Sequence, residues 1–145
     1  TKTKGTYIID YAHTAQSYKE IYKDFNTNGP VTTLFGCGGD RDKTKRKITA
    51  KIVDKYSSNI FITEDNSRSE AFTTIVKDIL EGINRNSHFT IEKSRKKALK
   101  NLFIQSRRND INFILGKGSE NYIVKGKQKI KHNDISYILD MIKKT

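Results

Sequence analysis

The 145-residue sequence has a single cysteine, Cys37, which excludes an internal disulfide and a thiolate zinc cluster and fits a reducing compartment. Its one proline, Pro30, precedes a β-rich run, and there is no internal repeat, low-complexity tract or linker. No segment approaches the roughly 18 consecutive apolar residues that a spanning helix needs. The opening Thr1-Lys-Thr-Lys-Gly5 carries no apolar run for a signal peptide, and Thr1 in place of Met points to a piece of a longer chain. The expectation is one soluble, cytoplasmic domain over residues 1–145, monomeric, without a membrane partner.

Hydrophobic content (34%) and mean hydropathy (-0.70) are low, yet the apolar residues fall in periodic segments, so the chain should fold. The formal charge is +12, with a pI near 9.8. Lys43 to Lys51, Lys93 to Lys100 and Lys125 to Lys131 mostly alternate with apolar helical positions, as a solvated face does, and no RNP-like aromatic pattern accompanies them. A nucleic-acid partner is therefore not expected, whereas anionic ligands such as nucleotides suit the surface.

Thr6–Asp10, Val31–Phe35, Asn59–Thr63, His88–Glu92 and Asp110–Leu115 read as strands. Helical spacing separates them: Tyr18, Ile21, Tyr22, Phe25; Ile48, Ile52, Val53, Tyr56; Phe72, Ile75, Val76, Ile79, Ile83; and Ala98, Leu99, Leu102, Phe103. Strict alternation predicts an α/β, doubly wound, mainly parallel sheet with helices on both faces. Tyr122 to Ile130 reads as a hairpin turning at Gly126, giving the sheet an antiparallel edge, before a last helix with Ile135, Ile138, Leu139 and Ile142 inward.

In such sheets ligands bind beyond the carboxyl ends of the strands. The unusual local sequences occupy those loops: Asp10-Tyr-Ala-His13, Gly36-Cys-Gly-Gly-Asp-Arg-Asp-Lys43, Asp65-Asn-Ser-Arg68 and Gly116-Lys-Gly-Ser-Glu120. Gly36, Gly38 and Gly39 let backbone approach a ligand, and Asp40, Arg41, Asp42 and Lys43 bring alternating charge to a helix start, which suits a zwitterion or a phosphate. A glycine turn with solvated charges explains the same residues. Ser67 and Glu70 have capping-box spacing, which would fix Asp65, Asn66 and Arg68 at a helix start. Arg68 can fork onto a carboxylate and Asp65 can accept from an ammonium; alternatively Arg68 pairs with Glu64 or Glu70. Glu120 reads as a free carboxylate across a shared pocket from Arg68, or as a surface residue beginning the hairpin. The G-x-x-x-x-G-K-[ST] phosphate loop is absent, and Asp10-Tyr-Ala-His13 stands where a dinucleotide fold would carry G-x-G-x-x-G. Cys37 reads as packing, His13 as a residue preceding the N-cap Thr14, and no metal site is expected.

Asp-Tyr-Ala-His-Thr, Phe-Gly-Cys-Gly-Gly-Asp-Arg-Asp-Lys-x-Lys-Arg, Asp-Asn-x-Arg and Gly-Lys-Gly-x-Glu, in this order and at these intervals, closely resemble the third domain of the UDP-N-acetylmuramoyl-tripeptide synthetases, the MurE-type Mur ligases. The resemblance runs from about Tyr7 to Ile142. It implies a three-domain enzyme whose UDP-binding and central ATPase domains lie outside this chain, and whose last domain delivers an amino acid and closes over ATP. The reaction it implies uses ATP and Mg2+ to activate the D-glutamyl γ-carboxylate of UDP-MurNAc-L-Ala-D-Glu for attack by meso-diaminopimelate. Asp65, Asn66, Ser67 and Arg68 match the recognition motif for that amino acid, and Arg41, Gly116 and Glu120 match further contacts. Asp10, His13 and Lys43 fall on the nucleotide side. No catalytic residue is expected in this domain. Ser67 replaces the motif's proline, Ala15-Gln16 its Pro-Asp, and Ser119 its histidine. Relatives adding L-lysine lack an arginine at the position of Arg68. The alternative implied is a related amide ligase of the superfamily adding L-lysine or another amino acid.

Overall fold

The computed structural model describes residues 5–25 and 28–145. Thr1 to Lys4, on which the reading of the opening segment rests, and Asn26 and Thr27 lie outside the described residues. The predicted alternation is present. Strands β1 (Thr6–Asp10), β2 (Val31–Phe35), β3 (Asn59–Ile62), β4 (Phe89–Ile91) and β5 (Ile111–Leu115) alternate with helices α1 (Ala15–Asp24), α2 (Thr44–Tyr56), α3 (Phe72–Leu80) and α4 (Arg95–Gln105). The strands form one 5-stranded sheet in the order β1-β5-β2-β3-β4, every pairing parallel. Phe113 of β5 lies between Ile8 of β1 and Thr33 of β2, so the last of the five strands is enclosed on both sides.

The central strands β3 and β5 read as near-continuous apolar runs because both of their faces are covered, whereas the edge strand β4 is exposed at all three positions. Successive residues point to opposite faces. Phe35, Ile60, Ile62, Phe113 and Leu115 pack with Tyr18, Ile21 and Tyr22 of α1, Ala50, Ile52 and Val53 of α2, and Ile75, Val76 and Ile79 of α3. Leu34, Phe61 and Ile114 face the other way, onto Ala98, Leu99 and Leu102 of α4. Each such fully buried Leu, Ile or Phe contributes roughly 1.5–3 kcal/mol. Thr33, inside the first cluster's face, is satisfied by the Tyr22 hydroxyl at 2.6 Å and Ser57 Oγ at 2.7 Å.

After β5 come β6 (Tyr122–Lys125), β7 (Gln128–Lys131) and α5 (Asp134–Lys143). The antiparallel hairpin turns at Gly126 as expected, but it forms its own 2-stranded sheet and does not extend the edge of the main one. A single bridge between Arg68 and Lys125 links it to the loop after β3. On α5 the inward side differs from the expected one. Ile138 is buried and Tyr137, Met141 and Ile142 pack beside it, whereas Leu139 is 49% exposed. Ile48 of α2, placed on the apolar stripe by sequence, is also exposed at 50%.

One buried ion pair ties α4 to α5. Arg95 (1% exposed) donates from Nε and Nη2 to the Asp134 carboxylate (0% exposed) at 2.9 and 2.7 Å. It also donates to the Glu64 carbonyl at 3.1 Å and the Leu115 carbonyl at 3.2 Å, where the chain leaves β3 and β5. His132 Nε2 lies 2.6 Å from Asp134 Oδ1. Burial alone would push the Asp134 carboxyl up, but the Arg95 charge and the bonds from His132 and Arg95 hold it below the ordinary carboxylate range. Asp134→Ala strands a dry guanidinium, so urea unfolding should show a loss of about 3–5 kcal/mol; an unchanged midpoint would contradict this role.

Candidate functional site

The loops after β1, β2, β3 and β5 surround a cavity of about 260 Å³ at the carboxyl ends of the strands. This lies just below the roughly 300–1,000 Å³ typical of drug-sized ligand sites, a size suited to an amino acid. Ala12, His13 and Thr14 come from the first loop, Gly36, Cys37, Gly38 and Arg41 from the second, Asp65, Asn66 and Arg68 from the third, and Gly116 from the last.

The second and third loops are zipped together. Gly39 N–H donates to the Asn66 carbonyl at 2.7 Å, and a Cβ at Gly39 would sit 1.8 Å from the Ser67 carbonyl oxygen, so no side chain fits there. Asp40, in the left-handed region at φ 55°, accepts from Ser69 N–H at 3.1 Å and from Ser69 Oγ at 2.7 Å. Arg46, buried at 2% exposure, donates to both Glu70 oxygens at 2.6 and 2.8 Å, to Asp78 at 2.8 Å and to the Gly38 carbonyl at 3.0 Å. The expected capping box at Ser67 and Glu70 is absent: α3 begins at Phe72 behind Ala71, with no side-chain cap, because Arg46 takes the Glu70 carboxylate.

Arg68 also sits at positive φ, 52°. Such a backbone costs on the order of 1–3 kcal/mol and persists only where its surroundings impose it. Here the hairpin does so, with Arg68 N–H donating to the Val124 carbonyl at 3.2 Å and Gly126 N–H donating to the Arg68 carbonyl at 2.7 Å. The guanidinium uses Nη1 on the Gly39 and Asn66 carbonyls at 3.0 and 3.3 Å. Its Nε and Nη2 have no protein partner among the described residues. Neither alternative ion pair forms, since Glu64 binds Lys125 at 2.9 Å and Glu70 binds Arg46. A fixed guanidinium thus offers an unoccupied edge to a carboxylate.

Of the residues singled out in the sequence, His13, Arg41, Asp65, Asn66, Arg68 and Gly116 line the cavity, and Asp10, Lys43, Ser67 and Glu120 do not. The Asp10 carboxylate accepts from Ala12 N–H at 2.8 Å and shapes the first loop, while Lys43 is an exposed residue ahead of α2. Ser67 meets the glycine loop through its backbone. Glu120 does not line the cavity with Arg68: its carboxylate lies 3.7 Å from Lys117 Nζ, and its negative charge raises the pKa of the Tyr11 hydroxyl. Thr14 caps α1 as expected, accepting from Ser17 N–H at 3.1 Å. Burial pushes the Cys37 thiol up to about 12, so it stays protonated and packs against the core. Sequence reasoning missed the buried cations Arg46, Arg95 and Lys117. The first two carry a signal, each opening a helical stripe of buried positions: Arg46, Thr49, Ala50, Val53 and Arg95, Ala98, Leu99, Leu102.

Fold and cavity together define an α/β domain with a cavity lined by charges of both signs at the mouth of a parallel sheet, where ligands of such folds bind. The family described as Mur ligase, glutamate ligase domain, matches residues 1–118. The chain belongs to this family. It is 40% identical over 138 residues to the UDP-N-acetylmuramoyl-L-alanyl-D-glutamate–2,6-diaminopimelate ligase of Helicobacter pylori, covering 95% of this chain and 31% of that protein. To the Clostridium acetobutylicum ligase 1 of the same name it is 38% identical over 138 residues, covering 94% and 28%. A solved structure of a ligase with this name superposes with a TM-score of 0.89 at 28% identity, covering 95% of this chain and 29% of that one. The chain therefore spans only 31% and 28% of the length of these two curated relatives.

The Arg46 bonds hold the Glu70 carboxyl down at about 2, below its ordinary 4.5. A depressed folded-state value contributes stability above the unfolded pKa and loses it as pH falls through the folded one. The Tm difference between the wild type and Glu70→Gln should be full above about pH 4.5 and shrink toward pH 2. A difference that stays constant across this interval would refute the coupling.

Proposed function

We propose that the chain is the amino-acid-binding, C-terminal domain of a cytoplasmic ATP-dependent ligase that adds meso-diaminopimelate to UDP-MurNAc-L-Ala-D-Glu in peptidoglycan synthesis. The observation that carries this reading is Arg68, pinned at positive φ with its Nε and Nη2 edge free of the described residues, beside Asp65 and Arg41 in one cavity. The distal half of meso-diaminopimelate carries a carboxylate and an ammonium, which suit Arg68 and Asp65; Arg41 suits the second carboxylate. The printed names of the relatives, ligases of 2,6-diaminopimelate, support the same substrate.

In this reading the chain's part in the chemistry is positioning. The UDP-binding and central ATPase domains of the longer protein activate the γ-carboxylate with ATP, and this domain brings the attacking amine to it, which removes much of the entropic cost of a bimolecular step. Of the residues expected near the nucleotide, His13 is exposed on the cavity wall, its ring tilted at 55° to that of Tyr11 with centroids 4.1 Å apart, which leaves it open to a ligand. Among the described residues no group of three or more His, Cys, Asp or Glu side chains is arranged to hold a metal ion. No helix of the described residues is long and apolar enough to cross a membrane.

The test uses the longer ligase containing this chain. Arg68→Ala should lower kcat/KM for meso-diaminopimelate by about tenfold to a hundredfold, leave KM for ATP unchanged, and narrow the preference over L-lysine. Unchanged kinetics, or a wild type that prefers L-lysine, would overturn the assignment.

A further inference from the structure

Lys117 is fully buried at 0% exposure, yet its ammonium has no backbone acceptor among the described residues. Its Nζ donates to Asn66 Oδ1 at 2.5 Å and lies 3.1 Å from Asp65 Oδ1 and 3.7 Å from Glu120 Oε2, with the Tyr122 ring centroid at 5.9 Å. Flanking glycines force it inward. Gly116 (φ 108°) and Gly118 (φ 52°) pass so close that a Cβ would meet Asp65 Oδ2 at 2.7 Å and the Tyr11 Cβ at 2.9 Å. Asn66 Oδ1 also accepts from Val124 N–H at 2.9 Å, so Lys117 sits between the cavity and the hairpin that clamps Arg68.

We propose that Lys117 is a positioning residue of the amino-acid site, engaging one oxygen of Asp65 so that the other faces the cavity, and tying Glu120 and Asn66 to the same point. It neutralises one of the two carboxylates and leaves the Asp65 and Glu120 pair with a single negative charge, matched to one ligand ammonium. Arg41 and Arg68 remain for two ligand carboxylates. Lys117 thereby sets recognition of the distal ammonium of a diamino dicarboxylate. This rests on the function proposed above.

The test measures kcat/KM in the longer ligase for meso-diaminopimelate and for 2-aminopimelate, which lacks the distal amine. The ratio of the two cancels the folded fraction of each preparation, so a merely structural lysine leaves it unchanged. Lys117→Met and Lys117→Gln should each reduce the ratio by about tenfold or more with KM for ATP unchanged. A wild-type ratio maintained in a soluble variant overturns the proposal, as does loss of soluble protein in both variants, which would assign Lys117 to the fold. A wild type without meso-diaminopimelate ligase activity instead overturns the proposed function.

Discussion

A guanidinium shut away from water must find acceptors within the protein, and Arg95 finds them where β3 and β5 end. Its bonds to the Glu64 and Leu115 carbonyls fix the departure points of two loops, and its pair with Asp134 draws in the start of α5 and, through His132, the end of the hairpin. Arg46 does the corresponding work from the opposite face of the sheet, gripping Gly38 and Glu70. Buried pairs of this kind yield little net stability relative to apolar packing, because both charges lose their hydration. What they supply here is position: two arginines, one from α2 and one from α4, hold the rim of one crevice from both sides.

Around that rim the strain and the charge fall in the same place. Asp40 and Arg68, the two non-glycine residues at positive φ among those described, each bond across the zipped second and third loops, Asp40 to Ser69 and Arg68 to Gly39. The backbone of Arg68 is held by the hairpin and its Nη1 by carbonyls, so the guanidinium is an oriented fork and not a mobile chain. Preorganisation of this sort lets binding free energy go into orienting a substrate for reaction. The chain's basic character, +12 overall, mostly decorates solvated helix faces, while the cavity itself mixes both signs.

The fold was legible because parallel strands and their covering helices have different apolar periods, and both appear in the sequence. Leu34 and Phe35, adjacent and both fully buried, show why the strands read as unbroken runs. The hairpin was legible from Gly126; its separation from the main sheet was not, since pairing partners are set by where the Arg68 backbone arrives. Leu139 misled because apolar spacing alone does not say which side of α5 meets α4. At the site, glycines and charges pointed to the right loops, but the partners of each charge did not follow from order along the chain. Glu70 has the spacing of a cap and serves Arg46 instead, and Lys117, flanked by glycines as an exposed loop lysine would be, is fully buried beside the crevice. Glu120 was expected to point freely into the pocket, and the Lys117 ammonium holds it aside.

Everything proposed for the site requires that a bound amino acid engage Arg68. The direct measurement is a crystal structure of the longer ligase with meso-diaminopimelate. The expected result is a ligand carboxylate on the Nε and Nη2 edge of Arg68 and the adjacent ammonium on Asp65 Oδ2, with both loops unmoved. A ligand seated outside this cavity, or one whose carboxylates both avoid Arg68, would contradict it.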